Sequence, residues 1–209
     1  PRGAPCEPRG ADAVILVALL VLAYLAGSVQ AAVLVSRWAR KPDPRSAHSG
    51  NPGATNVYRT AGPGWAAPVL LLDVGRAAVV GWLARSWVPD ALVPTVCAAL
   101  LLGNFYPLFH GFRGGKGVAS LLGFVLGVGA YAAVGLALAV WVVGRLLTGQ
   151  VFLGSFPMVA VLAGGLGLAS GGFWGWAGSF LVGSAVIWRH RANLARYWLE
   201  SSRPGGPLG

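Results

Sequence analysis

The sequence predicts an all-α polytopic membrane protein with seven transmembrane helices, its N-terminus outside and its C-terminus in the cytoplasm. The chain of 209 residues is 56% hydrophobic and only 11% charged, whereas soluble domains carry about 25% charged residues. Its apolar residues fall into long runs, and a membrane-spanning helix needs roughly 20 such residues. The predicted membrane domain covers residues 13–200, between an N-terminal tail at 1–12 and a C-terminal tail at 201–209.

Three apolar runs in the first half of the chain are each predicted to cross the membrane once. They lie at Ala13–Val35, Trp65–Leu83 and Ala91–Phe109. The second run contains Asp73 and Arg76, three residues apart. Charges inside a bilayer are costly and usually paired, so we expect these two side chains to form a structural ion pair.

Two longer runs without any charge, Val118–Val143 and Val151–Trp188, are each predicted to cross twice. The pair Gly171-Gly172 divides the later run. The earlier run is ambiguous by length, and the positive-inside rule favours two crossings that turn near residues 127–129. The basic loops and the basic C-terminal segment then share the cytoplasmic side, which carries all of the +10 net charge. Topology therefore explains the basic composition, and no nucleic-acid partner is expected.

Two glycine-rich stretches separate apolar runs on the predicted cytoplasmic side, at residues 49–56 and 111–117. Glycines let successive backbone N–H groups turn toward one point and hold an anion there. Each stretch brings a cation, Arg45 just before the first and Lys116 inside the second. The two loops predict a phosphate site at the membrane surface, with these binding residues: Ser49, Gly50, Asn51, Gly53, Ala54, Thr55, Asn56, Gly114, Gly115 and Gly117.

The second glycine stretch differs from the Walker A nucleotide loop, G-x-x-x-x-G-K-[ST]. Gly111 lies only four residues before Gly115, and Gly117 stands where that motif has its magnesium-binding hydroxyl. The spacing excludes ATP binding and leaves phosphate binding as the interpretation.

Further polar side chains flank the same side of the predicted bundle. His190 and Asn193 are three residues apart, hence on one helix face, and both can bond a hydroxyl or a phosphate oxygen. Ser28, near the inner end of the first span, and Thr148, at another inner loop, could each contribute a hydroxyl.

The sequence contains no Ser-His-Asp set and no paired carboxylates that would suggest a protein base. The two cysteines, Cys6 and Cys97, are far apart and have no metal-ligand spacing. We expect neither a metal nor a cofactor. An enzyme of this composition would work by positioning its reactants and by stabilising developing charge.

With these motifs the chain resembles the acyl-phosphate:glycerol-3-phosphate acyltransferases, the PlsY type of bacterial membrane enzyme. The similarity extends through most of the chain. The resembling segments are Gly27-Ser28 (G-S-x-P in the family), Asp43-Pro44-Arg45 followed by 49–56 (D-x-R…G-S-G-N-x-G-A-T-N), 72–76 (L-D-x-x-K), 109–119 (F-x-x-F-x-G-G-K-G-V-A) and 189–196 (R-H-x-x-N-I-x-R).

The resemblance implies an enzyme of the bacterial cytoplasmic (inner) membrane whose active site faces the cytoplasm. It would transfer a fatty acyl group from acyl phosphate to the 1-hydroxyl of glycerol 3-phosphate, giving lysophosphatidic acid and phosphate, the first acylation in phospholipid synthesis. A phosphate oxygen of the donor would accept the hydroxyl proton. We expect a monomer whose other partners are membrane lipids. By position, the resemblance implies substrate contacts for Ser28, Arg45, Lys116, Thr148, His190 and Asn193.

Some residues depart from the family pattern. Gln30 stands where the family has Pro, His48 where it has Gly, and Asn104 where it has His in G-H-x-F-P. These departures leave open a diverged, catalytically weak structural paralogue. A small anion or phosphate transporter with the loops as its vestibule is a second alternative, although Asp73 and Arg76 would be its only polar path across.

Overall fold

The computed structural model describes residues 10–202, and this part of the chain is all α-helical, as predicted. The helices are α1 (Gly10–Ser28), α2 (Ala31–Trp38), α3 (Ala54–Ala61), α4 (Pro63–Trp87), α5 (Val93–Phe105), α6 (Val118–Val128), α7 (Tyr131–Thr148), α8 (Val151–Ser170), α9 (Gly172–Trp188) and α10 (Arg191–Ser201). Short 3-10 turns lie at Pro44–Ser46, Asp90–Leu92 and Leu108–His110. The helices α1 and α10 extend into the predicted tails, whose residues 1–9 and 203–209 lie outside the described part.

Four helical segments are long and apolar enough to cross a membrane: α4, α7, α8 and Asp90–His110, which includes α5. The bent pair formed by α1 and α2 passes the same test only when its two helices are taken together as one span, which gives up to five. Within residues 10–202, α6 is a shorter apolar helix and α9 is an uncharged helix of 17 residues. Seven crossings and the placement of the two termini remain predictions.

The first predicted span, Ala13–Val35, is not one straight helix. It breaks after Ser28, and its two parts meet at an angle of 42°. The break leaves the last carbonyls of α1 without helical partners, and such groups need another donor where water is absent. Arg76 of α4 supplies it, because its Nη1 donates to the carbonyl oxygens of Ala26 (2.7 Å), Gly27 (3.2 Å) and Val29.

The predicted ion pair inside α4 is confirmed. Arg76 Nη2 lies 2.9 Å from Asp73 Oδ1, and both side chains are largely buried. One guanidinium therefore satisfies the end of α1 and compensates a buried carboxylate at the same time. This arrangement ties α4 to the first broken helix.

The predicted divisions of the two long uncharged runs are also confirmed as helix breaks. In the run Val118–Val143, helix α6 ends at Val128. Gly129 follows with a φ of +89°, a left-handed conformation that glycine adopts readily. The second run breaks at Gly171, between α8 and α9.

Close packing of α4 against α6 depends on glycines that let two backbones touch. A Cβ added at Gly123 would overlap the carbonyl of Val74, and one added at Gly127 would overlap the carbonyl of Ala78. Small residues four apart on one face permit this approach between membrane helices. The contact places the N-terminal end of α6, next to the second glycine stretch, beside α4.

We expect Gly127→Ala to destabilise the protein by about 1–3 kcal/mol, because the added methyl has no room and must separate α4 from α6. Gly135→Ala on α7 is the matched control, since nothing lies within 4 Å of its added Cβ, and it should be neutral or slightly stabilising. Thermal unfolding in detergent measures both. Equal melting temperatures for the two variants would contradict the packing argument.

Candidate functional site

Both glycine stretches border one cavity of about 600 Å³. Its polar wall includes backbone and side chains from α3, α10 and the loops, and its apolar wall comes from α4, α6, α7 and α8. The polar and charged lining residues are His48, Ser49, Asn51, Thr55, Asn56, Arg59, Asp73, Asn104, Lys116, Ser120, Gln150, Ser155, His190, Asn193, Arg196 and Tyr197. The large apolar lining residues are Leu70, Val118, Leu122, Leu138, Trp141, Val151, Phe152 and Met158.

The first glycine stretch is held by the buried side chain of Asn56. Its Nδ2 donates to the carbonyl oxygens of Pro44 at 2.5 Å and Ala47 at 3.1 Å. Gly53 then begins α3 without a side-chain cap, so Ala54 and Thr55 bring the first turn of this helix to the cavity. Free N–H groups at a helix start favour anions.

The second glycine stretch lies against the end of α5. The N–H of Gly115 donates to the Asn104 carbonyl at 2.9 Å, and a Cβ at Gly114 would overlap the same carbonyl oxygen. Gly117 then takes a φ of +83° and starts α6. The loop is therefore fixed against α5 on both sides of Lys116.

Arg189 holds the second stretch from the other side. Its guanidinium donates to the carbonyls of Gly114 at 3.3 Å and Gly115 at 3.1 Å. It also lies over the rings of Phe105, 5.3 Å from the centroid, and Tyr106, 5.5 Å from the centroid. The planar guanidinium of Arg189 donates hydrogen bonds at its edge and stacks on rings with its faces. Lysine cannot make this combination of contacts.

Lys116 is the cation that this loop presents to the cavity. Burial, together with the nearby charges of Arg196, Arg189 and Arg59, lowers the pKa of Lys116 to about 8. At pH 7 the ammonium is charged, and an arriving anion would relieve the repulsion from its basic neighbours.

His190 is 3% exposed and lines the cavity. Burial lowers its pKa to about 4, against the opposing effect of its hydrogen bond to the Val186 carbonyl. A carbonyl only accepts, so Nδ1 donates to it at 2.9 Å. The neutral ring is left with Nε2 as a hydrogen-bond acceptor.

The structure brings most of the predicted site residues together. Among the predicted catalytic residues, Lys116, His190 and Asn193 line the cavity. So do these predicted phosphate-binding residues: Ser49, Asn51, Gly53, Ala54, Thr55, Asn56, Gly115 and Gly117. Gly50 and Gly114 border an adjoining cavity of about 220 Å³, which shares Lys116 and Asn193 with the larger one.

Three predicted catalytic residues do not line either cavity: Ser28, Arg45 and Thr148. The hydroxyl of Ser28 is buried and donates to the Tyr24 carbonyl at 2.9 Å, and that of Thr148 donates to Gly144 at 2.7 Å. Ser and Thr near helix ends commonly bond the carbonyl four residues back in this way. In this structure each of the two hydroxyls makes a local helix bond, and their contact with substrate remains a prediction.

Arg45 instead joins the two loops. It pairs with Asp43 at 2.7 Å and donates to the His110 carbonyl at 3.1 Å, just before the second glycine stretch. The hydrogen bond from Arg45 lowers the pKa of Asp43. His110 also bonds the Ser28 carbonyl through Nδ1 at 3.2 Å. Arg45 and Ser28, through their hydrogen bonds with His110, therefore act on the position of the second loop.

Sequence reasoning missed several polar residues of the cavity wall, among them Arg59, Asn104, Gln150 and Arg196. Arg196 follows Asn193 by three residues on α10, so the spacing that selected His190 and Asn193 could have found it. Within residues 10–202 no group of three or more His, Cys, Asp or Glu side chains could hold a metal ion.

The family model for glycerol-3-phosphate acyltransferase matches residues 17–200 of this chain. The chain belongs to the glycerol-3-phosphate acyltransferase family. It is 42% identical over 181 residues to the glycerol-3-phosphate acyltransferase of Thioalkalivibrio sulfidiphilus, covering 86% of this chain and 88% of that one. The Sodalis glossinidius protein of the same name is 38% identical over 190 residues, covering 88% and 87%.

Two solved structures share the fold. Both are of PlsY (YgiH), an integral membrane glycerol 3-phosphate acyltransferase, at 30% sequence identity. The glycerol 3-phosphate form has a TM-score of 0.81 and covers 92% of this chain and 96% of that one. The lysophosphatidic acid form has a TM-score of 0.78 and covers 88% and 92%. Together with the apolar helices, this likeness identifies the chain as an integral membrane protein.

We expect Arg189→Lys to loosen the second glycine stretch, because lysine keeps the charge but loses the stacking and one of the carbonyl contacts. The Gly115 amide should exchange its hydrogen about tenfold faster or more, as hydrogen exchange mass spectrometry of the loop would measure. Arg145→Lys, at a position outside both cavities, is the control. Unchanged exchange in Arg189→Lys would contradict this role.

Proposed function

We propose that this protein transfers a fatty acyl group from acyl phosphate to the 1-hydroxyl of glycerol 3-phosphate, releasing lysophosphatidic acid and inorganic phosphate. One observation carries the proposal. A single cavity combines a basic, glycine-lined end with an apolar wall, and the two reactants together need both. The family to which the chain belongs supports glycerol 3-phosphate as the acyl acceptor.

The basic end suits two phosphate groups. Arg59, Lys116 and Arg196 are the cations that line it, and Asp73, the acidic lining residue among those described, is already paired with Arg76. Backbone N–H groups of the glycine loops and the start of α3 add uncharged donors. Such preorganised donors stabilise charge that develops on phosphate oxygens during acyl transfer.

The apolar wall suits the hydrocarbon chain of the donor. Leu70, Leu122 and Leu138 approach from three different helices, and Trp141 and Phe152 add aromatic surface. Each buried CH₂ of a fatty chain contributes about 0.8 kcal/mol to binding. Binding energy from this remote part of the donor would hold its reacting carbonyl beside the basic end.

The state of His190 suggests where the hydroxyl proton goes. Its Nε2 can accept a hydrogen bond from the attacking hydroxyl, but a ring with a pKa of about 4 holds a proton poorly at pH 7. We infer that His190 orients the hydroxyl and that a phosphate oxygen of the donor takes the proton. The new ester bond forms at the acyl carbon as its bond to the phosphate oxygen breaks, so inorganic phosphate leaves carrying that proton.

The proposed setting is the bacterial inner membrane, with the cavity facing the cytoplasm. The basic loops of the cavity support this orientation, because cytoplasmic loops carry an excess of lysine and arginine. Arg45 and Ser28 would act here through His110 and the second loop. Thr148 would act through Gln150, which it contacts at 3.2 Å and which lines the cavity. A monomer contains every residue that this scheme uses.

To test the function, labelled glycerol 3-phosphate is added to the purified protein together with one of two acyl donors, palmitoyl phosphate or palmitoyl-coenzyme A. We expect lysophosphatidate with palmitoyl phosphate and none above background with the coenzyme A ester. Lys116→Met should lose at least about 100-fold in rate, a magnitude typical of removing one charge-stabilising group. The control Lys41→Met, at an exposed position outside both cavities, should be fully active. Product from the coenzyme A ester alone would overturn the proposed donor.

The KM for glycerol 3-phosphate should rise as the pH increases through about 8. The reason is that Lys116 has a pKa of about 8 and loses its charge above that pH, while a phosphate monoester, with its second pKa near about 6, stays doubly charged. Initial rates from pH 6.5 to 9.5 measure the effect. The rise should be absent from Lys116→Arg, whose guanidinium stays charged. A rise of equal size in that variant would contradict the assignment to Lys116.

A further inference from the structure

Two residues that line the cavity each have a buried carboxamide oxygen without a hydrogen-bond partner among the described residues. These oxygens are Oδ1 of Asn56 and Oδ1 of Asn104. The Nδ2 of Asn56 is already used by two loop carbonyls. The Asn104 side chain makes no hydrogen bond on either atom within residues 10–202, although the residue is only 5% exposed. A buried carboxamide oxygen without a partner is costly, and next to a functional cavity it is a candidate to accept a hydrogen bond from a bound ligand.

The backbone of Asn104 is held firmly while its side chain is free. Its carbonyl oxygen accepts the N–H of Gly115 at 2.9 Å and Nε2 of Gln30 at 3.3 Å. Gln30 is itself buried and also donates to Gly27 at 3.3 Å. The side-chain oxygen of Asn104 comes within 3.0 Å of where a Cβ on Gly115 would lie. The backbone contacts thus hold Asn104 in place, with its carboxamide oxygen beside Gly115, the residue before Lys116.

The chemistry of the two reactants selects the group that Asn104 can bind. An ionised acyl phosphate offers oxygen acceptors and no donor, so it cannot satisfy an unpartnered carbonyl oxygen. The hydroxyls of glycerol 3-phosphate both donate and accept, as a carboxamide does. Resting on the proposed function, we propose that Asn104 binds a hydroxyl of the polyol phosphate acceptor and determines its specificity.

This role differs from phosphate binding, which the basic end of the cavity already provides. Sites built to bond a substrate hydroxyl reject analogues without it, because the site's polar group is then buried and unpaired. Asn104 would therefore separate glycerol 3-phosphate from alkyl phosphates that share its charge and size. Its contribution should appear in the binding of the acceptor and be absent from the binding of a plain phosphate ester.

The test compares Asn104→Leu with the unchanged protein, using glycerol 3-phosphate as substrate and n-propyl phosphate, which lacks both hydroxyls, as competitive inhibitor. Leucine fills a similar volume without polar atoms. We expect the KM for glycerol 3-phosphate to rise about tenfold, the size of one lost hydrogen bond, with the inhibition constant for n-propyl phosphate changed by less than about twofold. Asn104→Ala, whose smaller side chain cannot overpack the site, should also raise the KM for glycerol 3-phosphate and leave the inhibition constant for n-propyl phosphate nearly unchanged.

Ser170→Ala is the matched control, because Ser170 also carries a buried oxygen without a partner but lies outside both cavities. Its kinetics should not change. Equal weakening of substrate and inhibitor by Asn104→Leu and Asn104→Ala, or no weakening by either, would overturn the proposal. Failure of the unchanged protein to acylate glycerol 3-phosphate would instead refute the proposed function, and melting temperatures of all variants separate both results from unfolding.

Discussion

The interaction on which the site depends is the guanidinium of Arg76 at the broken first helix. A helix that ends within an apolar bundle exposes carbonyls that neither lipid nor apolar side chains can satisfy. Arg76 donates to those of Ala26, Gly27 and Val29, and Asp73 neutralises it. Removing the cation would leave the largely buried Asp73 carboxylate unpaired and take a charged donor from all three carbonyls, and breaking a buried ion pair in this way strongly destabilises proteins.

The broken helix has a direct effect on the cavity. Because α1 ends at Ser28, α2 diverges by 42° and leads into the turn that contains Arg45. The Ser28 carbonyl and the Arg45 side chain both reach His110, which immediately precedes the second glycine stretch. Asp73 lines the cavity from α4. Through His110, the end of α1 and the Arg45 turn are therefore both linked to the start of the second glycine stretch.

The sequence predicted those parts of the site whose residue type determines the backbone. Glycine at positions such as Gly117 and Gly129 permits the conformations that the structure adopts there, with φ values of +83° and +89°. Ser28 and Thr148 could not be placed by such reasoning, since spacing does not reveal that a hydroxyl will bond a carbonyl in its own helix. The break after Ser28 was missed because Arg76, whose side chain donates to the carbonyls at the break, lies far away in the chain.

Because α7 is largely exposed, little of the protein separates the apolar part of the cavity from the outside of the helix bundle. Ala137 is the one residue of this helix that is fully buried, yet Leu138 and Trp141 line the cavity. Where α7 forms the apolar wall, the wall is thus a single helix thick, and many side chains of this helix are exposed. A long-chain molecule could pass α7 between the cavity and the bilayer without entering water. Its exchange with the bilayer would then depend on how far α7 moves and not on the solubility of the molecule in water.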